Sequence, residues 1–364
     1  MTTERLILSL LCLFLPFFGL QAQRYQLEVV EGPTATKHWV PLVLNQNGSI
    51  AGNAYFFEGD GTRSMPIYWP SLQEPTLVAA PRSQDARVRA INDKDQLLCE
   101  VGTYGCERWT LWDTEKGWQI LHIPNGYTCQ IQGMDEKGYP YGTYRKRRSA
   151  AIEGALFYPH PDKPDFVELK KPLLRHGHYG LIHSILPGGN DTLTVNFSHT
   201  DTLNEDFFLW HPGQNSLDLP PLAETARIVL CSNRLGAVCG CEYAEEWGTR
   251  CRHFYWSNEL GLIYLEPDLP AGIPDTPELT VFEMNDRGEV VGAMRSQARE
   301  NSRHAFVWTQ TQGLQDLNQM LTTGSDKDVL LEAAVCINQN GTILVRGRRI
   351  STRQKTFCVL YPVQ

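Results

Sequence analysis

Beyond Leu20 the chain has no apolar run long enough to cross a membrane. It has no basic excess either. Its 33 Lys and Arg residues face 41 Asp and Glu residues, for a formal charge of -8. The basic footprint of a nucleic-acid binder is therefore missing. HExxH, GxSxG and Walker-loop signatures are absent as well. These absences argue against a multispanning membrane protein and a nucleic-acid partner. They withhold the commonest signatures of metalloprotease, serine-hydrolase and nucleotide-hydrolase chemistry. No metal or cofactor is expected.

What is present points to a large β-sheet core. Apolar residues make up 42% of the 364 residues and charged residues 20%, enough to build one large or two medium domains. Nine tryptophans, fourteen tyrosines and many short β-branched runs favour sheet. Residues 1–22 differ from the rest. Arg5 precedes an apolar run from Leu6 to Leu20, and "LQA" then leads to Gln23. That is the layout of a secretory signal peptide, with an uncleaved anchor as the alternative. The expectation is a secreted, periplasmic or cell-envelope protein with a mature domain over 23–364.

The stretch "RHAFVWTQTQGLQDLNQML" holds two strand-like runs joined by a short turn, and its pattern recurs. The aromatic slot at Trp308 is filled elsewhere by Trp69, Trp112, Tyr158, Trp210, Trp256 and Tyr361. These seven slots lie 43 to 53 residues apart, in the range of propeller blades. Upstream of them stand Asn45, Asn92, Asp135, Pro187, Asn233, Asn285 and Asn338, most of them opening turns such as "NQNG" or "NDRG". Asn, Asp and Gly would supply there the positive φ of a tight two-residue hairpin. Each unit reads as four strands, and the aromatic is expected to pack between neighbouring units. The chain ends after a third strand, "CVLY", and "YQLEVV" just past the leader reads as a spare fourth. The expected fold is an all-β, seven-bladed β-propeller of four-stranded blades, closed by that N-terminal strand completing the last blade.

The unit from Met284 to Asn318 resembles the HAF-repeat family of probable extracellular proteins, named for the triplet found here at His304, Ala305 and Phe306. "RHFYW" at Arg252–Trp256 is the next closest unit, and the other five keep the aromatic and the spacing but drop the His. The resemblance implies an exported, propeller-like repeat array. It carries over no catalytic residues.

The long connections, between second and third strands and between units, should share one face, where variable loops favour partner binding. Candidate ligand contacts are Tyr144, Arg145, Arg147 and Arg148 in "YRKRRSA", and Tyr243 and Trp247 in "EYAEEWGTR". A plain solvated basic loop and ordinary packing are the competing readings. His176 and His178 lie two apart, with no third metal ligand suggested nearby. Along the first strands, Arg87, Arg89, Gln130, Gln132, His183 and Glu283 are the polar residues expected at the central channel. Export makes disulfides plausible. Cys99 with Cys106, and Cys241 with Cys251, would each staple a loop on the binding face. A rival reading makes Cys239, Cys241, Cys251 and His253 a zinc site, although its spacing is irregular. With no repeated carboxylate pair, the expectation is an exported non-enzymatic binding module whose long-loop face takes a protein or glycan. The alternative is a propeller hydrolase or lyase acting on extracellular polysaccharide, and a structural envelope protein is a third possibility.

Overall fold

The computed structural model describes residues 23–58, 61–81, 85–102, 108–134, 138–147, 154–160, 163–168, 181–187, 193–198, 205–211, 216–218, 226–243, 251–265, 278–295, 303–323, 325 and 327–363, with backbone alone from 154 to 228. The leader-like residues 1–22 lie outside this set.

The described chain is all-β. After β1 (Arg24–Val29), sheet I holds β2 (Trp39–Leu44), β3 (Ile50–Glu58), β4 (Gly61–Trp69) and β5 (Thr76–Leu77). Sheet II holds β6 (Ala86–Ile91), β7 (Leu97–Val101), β8 (Arg108–Asp113) and β9 (Gly117–Ile120). Sheet III holds β10 (Tyr127–Met134), β11 (Pro140–Lys146), β12 (Gly154–His160) and β13 (Lys163–Glu168). Sheet IV holds β14 (Leu181–Pro187), β15 (Leu193–Ser198), β16 (Glu205–His211) and β17 (Ser216–Asp218). Sheet V holds β18 (Ala226–Ser232), β19 (Val238–Tyr243), β20 (Cys251–Ser257) and β21 (Gly261–Tyr264). Sheet VI holds β22 (Glu278–Met284), β23 (Val290–Arg295), β24 (Arg303–Thr309) and β25 (Gly313–Asp316), then a 3-10 turn, Leu317–Gln319. Sheet VII holds β26 (Val329–Ile337), β27 (Ile343–Arg349) and β28 (Lys355–Val363), and β1 adds to its outer edge. β1 pairs antiparallel with β28, from Arg24 opposite Val363 to Val29 opposite Cys358.

Every sheet is a four-stranded antiparallel meander. The two middle strands are flanked on both faces, so they read as continuous apolar runs rather than as alternation. In β24, Ala305, Phe306, Val307 and Trp308 are all buried. The aromatic slots fill the spaces between sheets. Trp69 is fully buried in a core shared with Leu344, Phe357 and Val359 of sheet VII. Trp308 stacks on Tyr255 of sheet V at 5.3 Å, and Tyr68 meets Trp112 at 6.0 Å. Truncating such a residue to Ala costs about 3–5 kcal/mol.

The turn chemistry differs from the two-residue hairpin expected. The Gly48 N–H donates to the Asn45 carbonyl (3.2 Å), and the Asn45 N–H donates to the Ser49 carbonyl (3.0 Å). This is a three-residue loop with a bulge, and it needs a left-handed residue only at its last position. Gly48, Gly138, Gly236, Gly288 and Gly341 take that position, with Asp95 (φ 59°) standing in at the second unit. The asparagine has a different job. Asn45 Oδ1 accepts from the N–H groups of Asn47 (3.1 Å) and Ser49 (2.9 Å), holding its own turn. Its Nδ2 donates to the Asn92 carbonyl (2.9 Å), joining sheet I to sheet II. Asn233 and Asn285 bridge to the Asn285 and Asn338 carbonyls in the same way, each at 3.1 Å. Asn338 Nδ2 donates to the Asn45 carbonyl (3.1 Å), joining sheet VII back to sheet I.

The first strand of each sheet carries a β-bulge at an equivalent place. Leu42, Arg89, Gln132, His183, Leu230, Phe282 and Val335 are each skipped in the pairing register, and β26 has a second bulge at Glu332. Opposite most bulges the second strand has glycine. A Cβ on Gly52, Gly142 or Gly292 would sit 2.1 Å from a carbonyl of the first strand, so only glycine allows that approach.

Candidate functional site

A cavity of about 950 Å³ opens between sheets II and III. By the antiparallel connectivity it lies toward the face of the long connections. One wall is the β9–β10 connection, from Ile123 to Gly126, which continues into β10 as far as Gln132. The other is formed by Arg89 and Glu100 of sheet II, with Arg108 and Trp109 at the start of β8. Arg145 and Arg147, at the end of β11, complete the lining. Backbone bonds fix this frame. The Arg147 N–H donates to the Gly126 carbonyl (2.7 Å), and the Leu121 N–H donates to the Trp109 carbonyl (2.8 Å). Below the cavity, Leu98, Trp109, Leu111, Leu121 and Ile131 form a packed core.

Four arginines and one glutamate line the cavity, so its charge is opposite to that of the chain as a whole. Glu100 Oε2 accepts from Arg89 Nη2 (2.5 Å) and Nε (3.2 Å), which satisfies that pair. Arg145 Nε donates to Thr128 Oγ1 (3.2 Å). Among the described residues, no carboxylate pairs with Arg108 or Arg147. The half-buried Cys129 also lines the cavity, and burial pushes its thiol up to about 12. It therefore supplies almost no thiolate near neutral pH and is a poor nucleophile. The single carboxylate is tied to arginine, so the cleft has the chemistry to hold an anion beside an apolar wall.

The structure sorts the sequence candidates. Arg145 and Arg147 line the cleft, joined by Arg89, Gln130 and Gln132 from the first strands. Tyr144 does not join them. Strand alternation turns it into the core, where its ring meets Tyr127 edge-on at 5.7 Å. Arg148 and Trp247 lie outside the described residues, as do His176 and His178. Tyr243 ends β19, in sheet V, with its backbone opposite Cys251. Glu283 is not a channel acid beside a partner carboxylate. Its Oε2 accepts from the Ile337 N–H (2.9 Å), tying β22 to β26, and desolvation raises its pKa. Arg108 and Trp109 were missed in the sequence. The available signal was an arginine opening the third strand of the unit before "YRKRRSA".

Cys241 and Cys251 form no disulfide. Cys241 pairs in register with His253, and Cys251 with Tyr243. The two cysteines are thus diagonal neighbours about 7–8 Å apart, beyond the usual disulfide Cα separation. Cys99 is buried as a thiol in the core between sheets I and II, and Cys106 lies outside the described residues. Among the described residues, no group of three or more His, Cys, Asp or Glu is placed to hold a metal. No described helix is long and apolar enough to cross a membrane.

No protein-family model and no curated protein matches the chain. Solved structures do. The β-propeller domain of the Trilobed protease from Pyrococcus furiosus is similar at a TM-score of 0.58 and 8% identity, over 90% of this chain and 94% of that one. That propeller has an open velcro topology. An acylaminoacyl peptidase, in complex with a Z-Gly-Gly-Phe chloromethyl ketone, is similar at 0.56 and 9% identity, over 90% of this chain and 52% of its own. Prolyl oligopeptidase B from Galerina marginata follows at 0.50 and 10% identity, over 85% and 46%. This chain thus spans about half the length of those two peptidases. The likeness establishes a β-propeller fold. It also overturns the expectation of a non-enzymatic protein- or glycan-binding module, because the similar propellers belong to peptidases.

Proposed function

We propose that this chain is a closed, seven-bladed β-propeller of the peptidase type, which receives and holds peptide for hydrolysis. The observation that carries the reading is the similarity to a protease propeller across nearly the whole of both chains. Closure is supported by β1 in the sheet of β26–β28 and by the bridge from Asn338 to Asn45. Peptide is favoured over polysaccharide on two grounds. The similar structures are peptidases. The cleft carries one carboxylate, Glu100, already bound to Arg89, whereas glycoside hydrolysis generally needs two placed acids. The cleft therefore selects and positions substrate, and bond cleavage requires a hydrolytic centre that its lining residues do not form.

The test is competitive capture. The immobilised full chain is exposed to a mixed-sequence peptide library and to soluble polysaccharides, and the retained material is identified by mass spectrometry. Peptides should be enriched. Retention of polysaccharide without peptide, or of neither, would overturn the reading.

A further inference from the structure

We propose that the cleft between sheets II and III recognises a peptide carboxylate, and that Arg108 and Arg147 are the residues that take it. The inference rests on the peptide reading above and narrows it to a substrate class.

The argument starts from which arginines are already engaged. Arg89 is neutralised by Glu100, and Arg145 is held by the Thr128 hydroxyl. Arg108 and Arg147 are exposed and line the same cavity from opposite sheets. Neither is matched by a carboxylate among the described residues. A guanidinium presents a planar fork that suits a carboxylate in a bidentate, charge-assisted pair. The surroundings suit the rest of a peptide. Trp109, Ile123, Pro124 and Tyr127 give an apolar wall beside the charges. A volume near 950 Å³ accommodates a few residues rather than a single ion. The positive lining on an acidic chain also has a consequence for selection. The overall field repels acidic peptides from most of the surface, so a carboxylate is drawn to this cleft in particular.

The carboxylate can come from an Asp or Glu side chain or from a peptide C-terminus. Four fluorescein-labelled octapeptides separate the sources: two central Glu or two central Gln, each with a free or an amidated C-terminus. Fluorescence anisotropy with the full chain reads their affinities at low and at moderate salt. Carboxylate-bearing peptides should bind at least ten-fold tighter than the amidated Gln peptide, and the advantage should shrink with salt. Comparison of the free-terminus Gln peptide with the amidated Glu peptide shows which carboxylate is read. Arg108→Ala and Arg147→Ala should each weaken the preferred peptide several-fold. The Lys replacements should retain part of the affinity, because charge survives while the fork is lost. Both positions are exposed, and an unchanged Tm identifies variants that keep the fold. Equal binding of all four peptides would overturn carboxylate recognition and leave the peptide reading standing. So would unchanged binding by both Ala variants. Failure of every peptide to bind would overturn the reading as well.

Discussion

The seam between sheets VII and I and the seam between sheets II and III are built from the same repeat but do different things. At the first, the Asn338 amide reaches the Asn45 carbonyl at 3.1 Å, and Gln46 Oε1 accepts from the Gln339 N–H at 2.7 Å. Trp39 lies 5.0 Å from Phe357 and 5.7 Å from Trp69, in a shared core. At the second, the position equivalent to the Asn45 acceptor, Asp135, lies outside the described residues; Asn92 Nδ2 donates to Gln96 Oε1 (2.9 Å) and, at 3.5 Å, to the Gly138 carbonyl. On the opposite face of that same seam, the arginine-lined cleft opens. The seam between sheets VII and I is made by direct packing and short bridges, whereas the seam between sheets II and III leaves polar groups and space between its sheets.

The largest expected effect comes from removing the strand that β1 adds to sheet VII. Deleting residues 24–29 removes the buried Tyr25 and Leu27 and bares the edge of β28. At about 1.5–3 kcal/mol per buried side chain, the loss is about 3–6 kcal/mol before any hydrogen bond is counted. Tm should fall by about 10 °C. A Tm within about 2 °C of the parent would mean that β1 does not hold the ring together.

A matched pair of substitutions sharpens the contrast. Asn338→Ala and Asn92→Ala each remove one side-chain oxygen that accepts two backbone N–H bonds and holds a turn. Asn338→Ala also removes a short bridge, and should cost about 1 kcal/mol more than Asn92→Ala, in line with one buried hydrogen bond. Denaturant midpoints measure the difference. Equal losses would show that the longer bridge at the cleft seam is worth as much as the short one.

The smallest effect concerns pH at the neighbouring seam between sheets VI and VII. Desolvation raises the folded-state pKa of Glu283 above its ordinary value. The folded protein then holds its proton more firmly than the unfolded chain, so this group's contribution is largest at low pH. It declines as pH rises from about 4.3 through the raised value. Glu283→Gln keeps an acceptor for the Ile337 N–H without the buried charge. It should match or slightly exceed the parent in Tm at pH 7, with the gain vanishing below about pH 4. A clearly lower Tm for the Gln variant at pH 7 would show that the charge itself is needed.

The repeat was legible because two of its marks are local. The aromatic slot and the Asn-x-x-Gly turn each need fixed residue types at fixed positions. The role of the asparagine was not legible, because its second bond leaves the unit and reaches the next sheet about 50 residues away. Tyr144 was misplaced for a related reason. A basic run suggested a loop, yet β11 extends to Lys146, and alternation sends Tyr144 inward while Arg145 stays outside. The cleft assembles residues from 89 to 147 across two sheets, and no linear pattern brings Arg108 beside Arg147. His304 illustrates the converse. Its Nδ1 meets Asp316 Oδ2 at 2.6 Å, so two letters of one unit, twelve residues apart, are a single contact between neighbouring strands.

The bulge in every first strand has one more consequence. At the bulged positions Leu42, Leu230 and Phe282 are exposed to solvent, although each is a large apolar side chain. The glycine opposite leaves room for the bulged backbone at Gly52, Gly142 and Gly292. The seven sheets thus share one position whose side chain differs widely in size and charge from sheet to sheet. Leucine, arginine, glutamine, histidine, phenylalanine and valine occupy it. One backbone frame therefore accommodates aliphatic, aromatic, amide and cationic side chains at the same place.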